Sequence, residues 1–407
     1  ITPEGDKQWQ SHLGYFYFAN CLVVAYRASR KRAYLDKWMA VLQDFFANHP
    51  LGAEGLVWSR TAPMYRNELA YGCGGEGRYP EYAGGSWLGL SCGRVLLWLS
   101  SLAALGNDPA MPDAFLANLL TSIMRDHATV MLNNPRRGTP NQFLHVAVAL
   151  TSIGVILPEY NVAPACYLVG IERLETSMRT SVLADGTDME QSFNYNSGLP
   201  GRFHELARLY EGKPTPRLAA LRETVLKRCR YLAAVTTPLG SWPALAKTHG
   251  TDVRPMLAEW AKLFALDDVA RIAQGSADAG SVAFPYGGYY VLRSGAGSSA
   301  PFLFFKASRL AAGHMHEDTN SFTLTVHGRH LLVDSGNYNY ADDEESWRRN
   351  RYFFSSMSHN TVTVDGLSQG RLAIQGAADL AALARPIGAR FHDTPGLALV
   401  EGFYREG

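Results

Sequence analysis

Along the first two thirds of this chain, apolar residues recur with the period of an amphipathic helix. Tyr34, Leu35, Trp38, Met39, Leu42, Phe45 and Phe46 share one face at the 3.6-residue spacing. Gly85–Leu105 reads as a more apolar helix, stopped by Gly106, Asn107, Asp108 and Pro109. Helical spacing continues over 113–131, 141–156, 165–182, 200–210, 216–235 and 253–274. Breakers fall between these stretches, as at Asn134-Pro135, Leu157-Pro158, Gly212-Lys213-Pro214 and Pro238-Leu239-Gly240. About eight consecutive helices on short loops predict stacked antiparallel helix pairs, as a toroid or solenoid. Near residue 276 the period changes. Residues 275–281 are small and polar and read as a linker, and strand-like runs follow at 289–293, 302–307, 321–326, 330–334, 360–364 and 397–403. Phe322, Leu324 and Val326 alternate with Ser321, Thr323 and Thr325, as in a half-buried strand, and His327-Gly328-Arg329 reads as a tight hairpin turn. The expected fold class is α+β and multidomain, with helices over 1–280 and an antiparallel β-sandwich over 281–407.

At 407 residues the chain exceeds one ordinary hydrophobic core, in keeping with two domains. Apolar content of 47% with 18% charged residues marks a packed globular protein. A net charge of +1 gives no bulk attraction to nucleic acid or to a membrane surface. A polyanionic ligand would have to be met by local charge. No apolar run reaches the roughly 18 residues that a membrane-spanning helix needs. Cys21, Cys73, Cys92, Cys166 and Cys229 are scattered and odd in number, so they read as buried free thiols, not a disulfide framework. The chain starts at Ile1 without methionine or leader and stops just after a strand-like run, and it reads as a fragment of a longer one. Oligomeric state is not legible.

Candidate chemistry concentrates late in the chain, where five of the twelve histidines lie between 314 and 359. Gly313-His314-Met315-His316-Glu317-Asp318, then Asp334, then Ser358-His359-Asn360-Thr361 offer two histidines and a carboxylate from neighbouring strands. Such a set suits tetrahedral zinc, the alternative being a hydrogen-bonded buried cluster without metal. On a strand, His314 and His316 would face the same side. His327 and His330 flank the hairpin turn and are expected in solvent.

The run from Gly313 to Phe322, followed by Leu332-Val333-Asp334-Ser335-Gly336-Asn337-Tyr338-Asn339-Tyr340, Arg351-Tyr352-Phe353-Phe354 and the Ser358–Gly366 stretch, resembles the heparinase II/III-like polysaccharide lyases. Asp185-Gly186-Thr187-Asp188-Met189-Glu190-Gln191-Ser192-Phe193-Asn194-Tyr195 is similar to the helical part of that family, though more loosely. The resemblance implies an incomplete (α/α) toroid before a β-sandwich, with the active site in the cleft between them. It also implies β-elimination on a uronate-containing acidic polysaccharide: the C5 proton is removed, the bond to O4 breaks, and a double bond remains. That chemistry needs a carboxylate partner, a base at C5 and an acid at O4.

Asn141, at the start of an apolar helix, is the implied carboxylate partner, although a plain N-cap is a common use of asparagine there. Relatives often carry histidine next to it; here that position is Gln142, which leaves His145 one turn later as a weaker substitute. Tyr195 is the implied base, acid or both, and needs neighbouring positive charge to ionise from a reference pKa of about 10. His314 assists it, and Tyr338 or Tyr340 is a candidate to protonate the leaving oxygen, with Tyr352 a third possibility. The resemblance gives His316, Asp334 and His359 to a structural zinc, with Glu317 and Asp318 orienting the histidines. Trp87 and Arg351 are weaker candidates, with Gln142, for contacts to sugar.

Two other readings belong to different classes. A zinc-dependent glycan hydrolase would use the metal to activate water and give no unsaturated product. A non-catalytic glycan-binding relative would keep the fold, and Gln142 and Asn196 depart from the catalytic pattern. Near-neutral charge leans towards a non-sulfated uronan. The resemblance implies a periplasmic or secreted protein.

Overall fold

The computed structural model describes residues 15–48, 85–133, 140–195, 197–209, 216–248, 250–276, 280–308, 314–339, 344–369 and 389–404. By mutual contact the chain divides into two compact units, residues 1–177 with 209–212, and residues 178–208 with 213–407. No helix among the described residues is long and apolar enough to cross a membrane.

The first unit is helical. Its elements are α1 (Tyr17–Ser29), α2 (Arg32–Asn48), α3 (Gly85–Leu105), α4 (Asp113–Thr121), α5 (Thr129–Asn133), α6 (Pro140–Ile156) and most of α7 (Ala163–Ser181). Leu35, Trp38, Met39, Leu42 and Phe45 are buried, as their spacing predicts, while Tyr34 at the edge of the stripe is exposed. Phe45 meets Trp98 of α3 edge-on at 5.8 Å, and the two rings close the core with Phe16. α6 and α7 approach closely: a Cβ on Gly170 would lie 2.5 Å from the Thr151 nitrogen. The expected continuous helix over 113–131 is interrupted by a π-helical segment, Ser122–Ala128. There the His127 Nδ1 donates 2.8 Å to the Ser122 carbonyl oxygen, a side-chain bond across five residues that the α period does not announce.

The second unit carries α8 (Leu199–Leu209, except its last residue), α9 (Pro216–Ala234), α10 (Arg254–Phe264) and α11 (Asp267–Ala273), then the sheet. The predicted single helix over 253–274 is two, because Ala265 turns left-handed at φ 56° and its amide closes back on the Ala261 carbonyl. The strands β1 (Val282–Phe284), β2 (Tyr289–Arg293), β3 (Phe302–Lys306), β4 (Ser321–Val326) and β5 (Arg329–Leu332) form an antiparallel five-stranded meander in chain order. Helix α12 (Glu344–Phe354) follows, and β6 (Arg390–Thr394) pairs with β7 (Leu397–Glu401) in a second sheet. Tyr290 of β2 meets Phe391 of β6 at 5.9 Å, so the two sheets face one another.

Register explains which side of the sheet is inner. Tyr289, Val291 and Arg293 of β2 align with Lys306, Phe304 and Phe302 of β3, and these with Ser321, Thr323 and Thr325 of β4. This face packs on the C-terminal end of α9: Tyr289 stacks on Tyr231 at 6.1 Å, and Arg293 Nη2 donates to the carbonyls of Ala234 and Thr236. Strand β4 is half-buried as expected, but its hydroxyl side is the deeper one, and Phe322, Leu324 and Val326 are only partly covered. The β4–β5 loop is the two-residue His327-Gly328 turn, both left-handed (φ 50° and 71°), with His327 and His330 exposed as expected. The strand expected over 360–364 does not form. A 3-10 turn (Ser356–Ser358) runs into irregular chain there, fixed by the Asn360 amide donating to the carbonyls of Phe322 and Val333. The expected strand across His314 and His316 is likewise irregular chain, so their two-residue spacing does not place them on one strand face.

Candidate active site

The loop from Val182 to Gly198 is built around three anchors. Gly186 turns at φ 89°, where a Cβ would come 2.5 Å from the Lys227 carbonyl oxygen, so only glycine fits. Asp185 accepts from the Thr187 amide and hydroxyl with one oxygen, and from the Tyr286 and Gly287 amides with the other, tying the loop to the β1–β2 turn. Arg228 of α9 is fully buried; its guanidinium lies 2.7 Å from the Asp188 carboxylate and donates to the carbonyls of Gly186 and Tyr195. Burial pushes the Asp188 carboxyl up, and Arg228 opposes that shift. Phe193 fills an aromatic pocket of Tyr231, Trp242, Tyr289 and Phe304.

What this scaffold presents is Glu190 and Tyr195. Glu190 is almost wholly buried, and its Oε2 lies 2.7 Å from His314 Nδ1. The Tyr195 ring stacks on the same imidazole, centroids 3.7 Å apart and 23° from parallel. His314 is thus held at one edge by a carboxylate and across one face by a phenol ring. Tyr195 and His314, named separately as candidates from the motifs, lie side by side here; Glu190 is an addition. It stands inside the segment that resembles the family, but its place there gives it no role, because the contact closes over 124 residues.

A second polar cluster lies under the sheet. Asp334 Oδ2 is 2.8 Å from His359 Nδ1, while Asp334 Oδ1 accepts from the Gly336 amide. One donor atom each from Asp318, Asp334 and His359 falls within 4.8 Å of the others, and all three residues are buried. Among the described residues, His359 Nε2 and Asp318 Oδ2 make no hydrogen bond. Two carboxylates and an imidazole with a spare nitrogen are a donor set that fits a divalent cation. Lys306, buried on the inner face of β3, pairs with Asp318. Burial pushes the Asp318 carboxyl up against the pull of Lys306 and His359. Burial works to lower the His359 pKa, but the hydrogen bond and charge of Asp334 outweigh it and the net shift is upward. His316 lies beside this group, 5.2 Å from the His359 ring and 4.8 Å from Phe354 between centroids.

Of the remaining expected residues, Asn141 and Gln142 sit in the first turn of α6 behind Pro140, as the sequence predicts, and His145 one turn on is partly buried. The side chains of Asn141, Gln142 and Trp87, like Tyr340 and Asn196, lie outside the described residues. Tyr338 is engaged elsewhere, its ring tilted against Phe353 at 5.8 Å between centroids and under the Arg349 guanidinium at 4.9 Å. Arg351 is exposed on α12, where Arg348 and Arg349 both pair with Glu345. Two buried cations beside these clusters were missed, yet both left a signal. Lys306 falls in step with Phe302 and Phe304, and Arg228 in step with Val225 and Leu232, so each stands on an apolar face that demands a partner.

The Heparinase II/III N-terminus pattern matches residues 2–271, and the Heparinase II/III-like, C-terminal pattern matches residues 276–398. The chain therefore belongs to the heparinase II/III family. It is 24% identical over 381 residues to a heparin-sulfate lyase of Pedobacter heparinus, covering 89% of this chain and 53% of that protein. A heparin-sulfate lyase of Bacteroides stercoris is 22% identical over 380 residues, covering 89% and 54%. The crystal structure of heparinase III superposes with a TM-score of 0.72 at 18% identity, over 90% of this chain and 56% of that one, which establishes the fold of helices followed by antiparallel sheet. The chain spans about half the length of the curated relatives it matches.

Proposed function

We propose that this protein is a polysaccharide lyase that cleaves a uronic-acid-containing acidic polysaccharide by β-elimination. The observation that carries the reading is His314, clamped between the Glu190 carboxylate and the Tyr195 ring, on the two segments that resemble the family's catalytic motifs. In the reaction, a base takes the C5 proton and that electron pair becomes the C4–C5 double bond. The C4–O4 bond breaks, and an acid protonates the departing O4. Tyr195 is the base or acid at this centre and His314 assists, each able to hold or pass one proton. The part given to Asn141, hydrogen-bonding the uronate carboxylate as charge builds on it, is supported by the family motif and by its place in a helix first turn. Tyr338, Tyr340, His145, Gln142, Trp87 and Arg351 remain secondary proposals on the motif alone. The names of the relatives make heparin sulfate the first substrate to test, followed by non-sulfated uronans, and a polymer of that kind fits a periplasmic or secreted enzyme.

A divalent cation, zinc by its ligand chemistry, would be held by Asp334 and His359, with Asp318 supported as third ligand by distance and His316 by the family motif. When bound it would supply charge that braces the chain around Asp334 and His359. Burial of all three grouped donors favours this structural part over a water-activating one.

The test is ultraviolet absorbance of the protein incubated with a panel of uronate polysaccharides. Growth of the conjugated unsaturated-uronate band, abolished by Tyr195→Phe and by His314→Ala, is the expected result. Chain shortening without that band would replace the lyase reading with a zinc hydrolase, and binding without shortening would leave a glycan-binding relative.

A further inference from the structure

We propose that Glu190 is a positioning residue that fixes His314 as the Nδ1–H tautomer and so presents its Nε2 lone pair for proton transfer. The inference rests on the lyase reading for its kinetic consequence only; the tautomer stands apart from it.

As a carboxylate Glu190 can only accept hydrogen bonds, and in that state its 2.7 Å contact through Oε2 with His314 Nδ1 puts the hydrogen on Nδ1. In the neutral ring the other nitrogen, Nε2, then carries the free electron pair. The Tyr195 ring, stacked 3.7 Å away, blocks rotation of the imidazole out of that orientation. One loop supplies both restraints, and the loop itself is fixed. Arg228 anchors it at Asp188 and at the Tyr195 carbonyl, on either side of Glu190. Gln191, next to Glu190, is held left-handed at φ 51°, a conformation that disfavours a non-glycine residue and persists where the surroundings impose it. The Asp–His–nucleophile arrangement of serine hydrolases shows what such a carboxylate is for: it selects the tautomer, holds the ring and stabilises the imidazolium once a proton has arrived.

A purely structural reading would make Glu190 and His314 a tie between the loop and the irregular 314–320 segment. In that case removing the carboxylate would loosen the fold and weaken binding and turnover together. A positioning part acts on turnover alone, and it leaves a mark on the imidazole that can be seen without substrate.

The test uses the full chain labelled with ¹⁵N-histidine, and long-range proton–nitrogen correlation at a mildly alkaline pH, with His314→Asn to assign the ring. In the unmodified protein His314 is expected to show a protonated Nδ1 and a bare Nε2. Glu190→Ala should return it towards the Nε2–H form that free histidine favours. With the substrate identified by the absorbance panel, Glu190→Ala should lower kcat about 10- to 100-fold while KM moves by less than about threefold. Glu190→Gln, whose amide oxygen still accepts from Nδ1, should keep the tautomer and recover part of kcat; it also guards against misfolding of the alanine variant. An Nε2–H ring in the unmodified protein, or an unchanged kcat in Glu190→Ala, would overturn the proposal. If no polysaccharide yields the unsaturated product, the lyase reading fails and the tautomer signal still decides whether Glu190 positions His314.

Discussion

Arg228 and Asp188 form a fully buried ion pair, 2.7 Å apart, beneath the loop that presents Glu190 and Tyr195. Neither charge has water to fall back on. Arg228→Met would leave a buried carboxylate with no cation beside it and with the charge of Glu190 nearby. Removing one partner of such a pair costs about 3–5 kcal/mol, whereas removing both is far milder. Arg228→Met should therefore lower the urea midpoint strongly, and the double variant with Asp188→Leu should regain a large part of it. A single variant as stable as the parent would mean that the pair carries no charge.

Gly186 answers a different question about the same loop, whether its backbone is needed as drawn. At φ 89°, with a carbonyl 2.5 Å from any Cβ, alanine must either strain the turn or push α9 away. A loss of about 1–3 kcal/mol in thermal or denaturant unfolding is expected from Gly186→Ala. Turnover should fall by more than the stability loss alone would cause, because the displaced loop carries both Glu190 and Tyr195. An alanine variant with parental stability would show the turn to be open.

Much of this was readable from residues alone, and the failures have identifiable causes. The helical stripe from Leu35 to Phe45 and the hairpin at His327-Gly328 follow from period and turn chemistry, which are local. Tyr195 and His314 were each named through motif resemblance, and their stacking is legible only in the fold, since neither residue signals the other. The break at Ala265 carries neither glycine nor proline, so spacing alone ran through it. The π-helical segment depends on a histidine bonding a carbonyl five residues back, which no 3.6-residue pattern contains. Strand β4 buries its serine and threonine side because the neighbouring strand places Lys306 there and Asp318 pairs with it. Glu190 was passed over for a related reason: its importance is created by a contact with a residue far along the chain.

His127 gives the first unit a pH dependence of predictable sign. Its Nδ1 donates to the Ser122 carbonyl, its Nε2 lies 3.2 Å from the Arg94 guanidinium, and burial followed by the charge of Arg94 lowers its pKa from 6.5 to about 3. The unfolded chain binds a proton at this histidine below pH 6.5 and the folded chain does not until near pH 3. Stability is thus intact above pH 6.5 and drains as the pH falls through that window, by about 2 kcal/mol at pH 5. Chemical denaturation at a series of pH values should show this acid limb in the parent. His127→Asn, which retains a donor for the Ser122 carbonyl and cannot titrate, should flatten it. An equal acid limb in both proteins would show that His127 is protonated when folded.

The cluster of Asp318, Asp334 and His359 leads to a prediction about metal content. Three buried donors within 4.8 Å of one another would repel or sit half-satisfied unless cations join them, and Lys306 already meets one of the carboxylates. Protein purified without chelator is expected to carry about one zinc per chain by elemental analysis, and His359→Ala or Asp334→Ala should remove it. Because a ligand that binds only the folded state stabilises by mass action, stripping the metal should lower the unfolding temperature, and adding zinc back should restore it. Glu190, Tyr195 and His314 keep their mutual contacts without calling on that metal, so any elimination activity at moderate temperature should survive brief chelation. Immediate loss of turnover on chelation, with the fold intact, would instead place the cation in the chemistry and favour a hydrolase. Zinc-free protein whose stability ignores added metal would mean that Lys306 alone supplies the positive charge this cluster needs.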